Sequence, residues 1–159
     1  MLMSEVLDHV VHPTLIHLSQ AVPRIHSVAA CRLVTCTAHV ESLGDYLSQI
    51  GGGPARGIFQ IEPATALDVL DRYLETRDAL DEAVWELRTD QDLAFQLASN
   101  LSLGAAICRI KYWMSPDPLP DASDAVGMGA YWKKIYNTAG GSGDPDHFSD
   151  AYSDLYLGD

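Results

Sequence analysis

The chain predicts an all-α fold, and three observations carry that prediction. Strand-like alternation is hard to find anywhere, and apolar residues instead recur at helical spacing. The segment from Leu93 to Ile110 is apolar nearly all round, the pattern of a helix buried at a domain's centre. At 159 residues, 47% hydrophobic and 20% charged, the chain fits one domain, spanning 1–159, that can bury a core without staples.

Ser4 is a fair N-cap for a first helix through Gln20, with Pro13 marking a break or kink. Pro23 suits the first turn of a second helix, whose apolar positions Ile25, Val28, Ala29, Leu33, Cys36 and Val40 should face the core. Glu41 falls in the last turn of that helix. Gly51, Gly52, Gly53 and Pro54 cannot sustain a helix and mark a loop. Pro63 opens a third helix to about Arg77, and another runs from Ala79 to Leu87. Thr89 or Asp90 should cap the apolar helix, which reaches about Met114. Asp90 and Asp92 at its start, with Arg109 and Lys111 near its end, complement its dipole. The segment Ser115-Pro116-Asp117-Pro118-Leu119-Pro120 reads as a stiff loop. Two last helices follow, near 125–137 and 145–156, separated by Gly140-Gly141-Ser142-Gly143. The aspartates of the last helix and its flanks, Asp144, Asp146, Asp150, Asp154 and Asp159, read as a solvated face rather than a calcium site.

The formal charge of −12 argues against nucleic acid as a partner, because phosphates need Lys and Arg to neutralise them. No apolar run has the length of a membrane span. The N-terminus lacks the basic residues and apolar stretch of a secretory signal, so synthesis and first residence in the cytoplasm are expected. Three cysteines, Cys31, Cys36 and Cys108, show no CxxC spacing. Cys31 and Cys36 lie five apart, which on a helix turns them about 140° from each other. Buried reduced thiols are the expectation. His9 and His12 have the spacing of a helical pair, but no further ligand is organised around them, so no metal and no cofactor are expected.

Glu41 is the only acidic residue between Asp8 and Asp45 in a strongly acidic chain. An apolar neighbourhood disfavours its ionised form, and so does the negative C-terminal pole of its helix. Both push its pKa upward, as a general acid for glycosidic cleavage requires. Asp45 and Glu62 are the candidates for a second carboxylate. Asp45 reads as solvated in the loop and Glu62 as a residue of a helix's first turn, so a one-carboxylate mechanism is favoured.

Glu41-Ser42, then a loop, then Gly57-Ile58-Phe59-Gln60-Ile61, Pro63 and Thr65-Ala66 resemble the first motif of the lysozyme-like superfamily's soluble lytic transglycosylases. Asn100-Leu101-Ser102-Leu103-Gly104 is similar to their second motif. Ile135-Tyr136-Asn137-Thr138-Ala139-Gly140-Gly141 is similar to the third, with Ile135 in place of a small residue and one extra residue before the glycines. The resemblance spans about 25–143. It implies a single lysozyme-like helical domain that cleaves the β-1,4 bond between N-acetylmuramic acid and N-acetylglucosamine in peptidoglycan. Glu41 would be the acid and base, with Gln60 and Tyr136 in support and Ser42 and Asn137 as further substrate-binding residues. In the family the glycine lets the backbone approach the sugar, and the tyrosine hydroxyl helps orient the glutamate. Tyr46, Phe59, Tyr131 and Trp132 are aromatic candidates for the groove wall. A compact chain of this type suggests a bacteriophage endolysin or a virion component, whose partners would be glycan strands and other tail proteins. Two alternatives stay open: a goose-type-like lysozyme using water, and a non-catalytic tail protein that keeps only the fold.

Overall fold

The computed structural model describes residues 1–158, and Asp159, the last of the predicted acidic face, lies outside them. The fold is all-α. The α-helices are α1 (Met3–Val6), α2 (His12–Ser19), α3 (Val28–Ser42), α4 (Pro63–Leu67), α5 (Asp78–Trp85), α6 (Leu93–Ser99), α7 (Leu101–Trp113), α8 (Ala125–Trp132) and α9 (Pro145–Tyr156). The only strand-like pairing among the described residues is two isolated antiparallel bridges, Ser48 with Arg56 and Arg56 with Ile61, inside the loop after α3.

Local chemistry explains most boundaries. The helix predicted behind an N-cap at Ser4 begins two residues earlier, at Met3, and Ser4 makes no cap. Pro13 does not break it: a wide π-turn, Leu7–Val11, carries the chain into α2, and the His12 N–H reaches back to the Leu7 carbonyl. Widening that turn accommodates a ring that would crowd the preceding turn of a regular helix.

The expected helix start at Pro23 needs correction. Pro23–Ile25 is a single 3-10 turn, and α3 begins at Val28 behind Ser27, whose Oγ accepts the Ala30 N–H at 3.0 Å. Serine satisfies an orphan donor that proline only tolerates. Val28 is therefore a first-turn residue, 61% exposed, while Leu33, Val34, Cys36 and Ala38 are fully buried.

The single apolar helix predicted up to Met114 is in fact two. The chain bends by 99° between α6 and α7. Asn100 leaves the helical conformation, accepts the Leu103 N–H to cap α7, and donates its amide to the Leu87 carbonyl at 2.7 Å. Asparagine competes with the helix backbone through local bonds such as the cap to Leu103, and apolar periodicity alone hides the break. The cap of α6 is Asp92, not Thr89 or Asp90. α7 is the buried centre: every residue from Leu103 to Ile110 is buried.

The buried apolar residues from Met3 to Tyr152, Ala55 of the bridged loop excepted, form one continuous core. The three cysteines are free and buried within it, and burial pushes Cys31 up to about 11 and Cys108 up to about 12. Among the described residues no single helix is long and apolar enough to cross a membrane. α9 turns Asp146, Asp150 and Asp154 to solvent and packs Phe148, Ala151 and Tyr152 against α3 and α8.

Candidate active site

Glu41, in the last turn of α3, lines a cleft of about 450 Å³ together with Gln60, Glu62, Lys111, Tyr136 and Asn137. These residues come from α3, the bridged loop, the start of α4, α7 and the π-turn Lys133–Asn137 after α8. The core gathers them.

Burial pushes the Glu41 carboxyl above its ordinary range. The Trp132 N–H and the Lys111 ammonium pull it partly back, since both favour the ionised form. The indole Nε1 donates to Glu41 Oε1 at 3.2 Å. Trp132 is 2% exposed and stacks on Phe148 of α9, with ring centroids 5.1 Å apart. The last helix thus buttresses the group that bonds the Glu41 carboxyl. Sequence reasoning placed Trp132 only among possible wall aromatics. No local signal links residues 91 positions apart.

Tyr136 reaches the cleft, but its hydroxyl donates to the Phe59 carbonyl at 2.6 Å rather than to Glu41. Its ring stacks on Tyr112 at 5.3 Å, and the Lys111 ammonium lies 4.4 Å from the ring's centroid. Lys111 also donates to the Tyr136 carbonyl at 2.9 Å. Burial pushes Lys111 down, opposed by the nearby Cys108, Glu41 and Glu62. It is the cleft's cation, read from sequence only as a complement to the helix dipole. Lys111 and Arg109 are the two charged residues on an otherwise apolar helix, and that was the available signal.

Gln60 bonds its own loop, with Nε2 donating to the Gly57 carbonyl at 2.9 Å, and holds φ at +48°. Thr138 holds φ at +69°, and both residues line the cleft. Non-glycine residues held at positive φ store about 1–3 kcal/mol each and cluster at functional sites. Asn137 lines the cleft too, its Oδ1 accepting from Lys133 Nζ at 2.7 Å.

Other expected residues are placed differently. Ser42 is 2% exposed and faces inward: its Oγ lies 2.7 Å from the Ile58 carbonyl, 3.0 Å from that of Ala38, and accepts from the Gly44 N–H. It ties the loop to α3 instead of facing a ligand. Asp45 lies outside the cleft, 3.2 Å from the amino terminus, whereas Glu62 lies on the cleft wall. Gly57, with φ at +74°, makes its close approach to the backbone of α6, where an added Cβ would stand 2.0 Å from the Leu97 carbonyl oxygen. Gly104 leaves room for the Phe59 ring, 2.9 Å from where a Cβ would be. Both glycines therefore lock the Gln60 loop onto the helices beneath it. Of the aromatics, Phe59 is buried, Tyr46 is exposed in the loop, and Tyr131 lines a different cavity.

The arrangement can donate a proton from a desolvated carboxyl into an open cleft and later take one back. Compared with protein-family models, with curated proteins and with solved structures, the chain matches none.

Proposed function

We propose that the protein is a peptidoglycan lytic transglycosylase with a lysozyme-like domain and Glu41 as its single acid and base. The observation that carries this reading is the Glu41 carboxyl, raised by burial, held by Trp132 and open to the cleft beside Gln60 and Tyr136. A protonated carboxyl there gives its proton to the glycosidic oxygen as the bond to C1 of N-acetylmuramic acid breaks. The 2-acetamido group stabilises the cation developing at C1. The Glu41 carboxylate then takes the proton from the sugar's own 6-hydroxyl as O6 bonds to C1, closing a 1,6-anhydro ring. Substrate-assisted chemistry of this kind needs no second carboxylate. A bacteriophage endolysin or virion component acting on the cell wall is the setting this reading fits.

Glu62 on the same cleft wall favours one second reading: hydrolysis, with Glu62 activating water. Mass spectrometry of soluble products from purified sacculi separates the two. Anhydromuropeptides released by the wild type and not by Glu41→Gln are the expected result. Reducing-end products lost in both Glu41→Gln and Glu62→Gln would replace the transglycosylase with a hydrolase. No soluble product from a folded wild-type sample would remove the enzyme reading.

A further inference from the structure

Arg109 of α7 is 3% exposed, yet no ion pair is made by its guanidinium among the described residues. Its Nε donates to the Ile25 carbonyl at 2.7 Å, and its head lies 5.2 Å from the centroid of the Trp113 ring. Neither contact neutralises the charge. Burial pushes Arg109 below its ordinary range, and the neighbours that oppose the shift are tyrosines and cysteines. A buried cation with no anion is costly to keep, and removing it would ordinarily favour stability.

The side chain lines a cavity of about 760 Å³ that is separate from the Glu41 cleft. Arg109 and Lys111, two residues apart, point about 200° apart round α7, so one serves each cavity. The stacked rings of Tyr131, Tyr112 and Tyr136, at 5.6 and 5.3 Å, run between them. A second guanidinium, Arg24, is exposed on the wall of the same cavity and also makes no ion pair among the described residues. Two carboxylates share that wall, and both are engaged elsewhere: Asp117 accepts from Lys134 Nζ at 2.6 Å, and Asp121 from the Ser123 hydroxyl at 2.7 Å. Much of the remaining wall is apolar and stiff, formed by Trp113, Pro116, Pro118 and Leu119.

We infer that this cavity binds a small carboxylic acid bearing an apolar group. Arg109 and Arg24 receive its carboxylate, and its apolar part lies against Trp113 and the proline-rich wall. A guanidinium fork matches the two oxygens of a carboxylate. The single charge of a carboxylate also suits the site better than the double charge of phosphate, because Asp117 and Asp121 repel each added negative charge. The inference is independent of the chemistry at Glu41.

The test is calorimetric titration of the intact protein with hydrocinnamate, with its uncharged amide and with inorganic phosphate. Saturable binding of hydrocinnamate is expected, with the amide at least about tenfold weaker. Arg109→Gln should abolish binding. Arg24 is exposed, so Arg24→Ala should fold normally and weaken binding by about threefold or more; it keeps the test decisive if the Arg109 variant does not fold. Absence of saturable hydrocinnamate binding, equal binding of the amide, or indifference to Arg24→Ala would overturn the site. Preference for phosphate would overturn its assignment to a carboxylate.

Discussion

Tyr136→Phe separates two roles for the tyrosine hydroxyl. The structure gives the hydroxyl a single oxygen partner, the Phe59 carbonyl at 2.6 Å, and no backbone N–H among the described residues donates to that carbonyl. Phenylalanine keeps the ring, its stack on Tyr112 and the contact with Lys111, but leaves the Phe59 carbonyl without its donor. A buried acceptor orphaned in this way costs about 1–3 kcal/mol. For a chain of this length each kcal/mol lowers Tm by about 2–4 °C, so a fall of roughly 2–12 °C is expected in a calorimetric melt. Activity on sacculi should fall by about tenfold or less, through loosening of the Phe59-Gln60 segment, far less than for loss of a general acid. The pH dependence of activity should keep its shape, because the hydroxyl does not bond to Glu41. An unchanged Tm together with a displaced pH profile would refute this, and would make the hydroxyl a direct partner of the carboxyl.

Three further outcomes follow from the same geometry. Trp132→Phe removes the donor that favours ionised Glu41, so the alkaline limb of the activity profile should move to higher pH; a move to lower pH would contradict the bond at 3.2 Å. Glu41→Gln should melt above the wild type at pH 8 and together with it below about pH 4. The folded chain holds the Glu41 proton more tightly than the unfolded chain, whose reference value is 4.5, so wild-type stability is lost as pH rises from there through the folded pKa. Gly57→Ala should lower Tm by at least about 4 °C, since the new Cβ meets the Leu97 carbonyl and a left-handed alanine costs a further 1–2 kcal/mol or so. A melt within about 1 °C of wild type would show that the loop docks on α6 less tightly than its geometry requires.

Helical spacing of apolar residues, proline at the start of α4 and α9, and the lone carboxylate in the last turn of α3 were all legible in the chain itself. Each depends on residues within four or five positions of one another, and that is the range over which periodicity and capping act. The break at Asn100 was harder to see. Its cap is local, but the bond to Leu87 that holds the bend is not, and the apolar pattern runs straight through it.

The site divides along the same line. Glu41 stands out by charge pattern, and Gln60, Tyr136 and Asn137 by their motif; all four line one cleft. Ser42 belongs to the same motif, yet its hydroxyl is consumed by the carbonyls of Ala38 and Ile58, because a buried polar group must find partners inside the fold. Only the tertiary structure decided that Trp132 bonds the Glu41 carboxyl, that Lys111 is the cleft's cation, and that Glu62 rather than Asp45 shares the wall. The sequence determined most of the helices and singled out Glu41, because periodicity and capping act over a few residues, whereas the burial that keeps its carboxyl protonated came from the tertiary packing. Which groups meet that carboxyl is set by how α7, α8 and α9 pack against α3, and packing over such separations leaves no local mark in the chain.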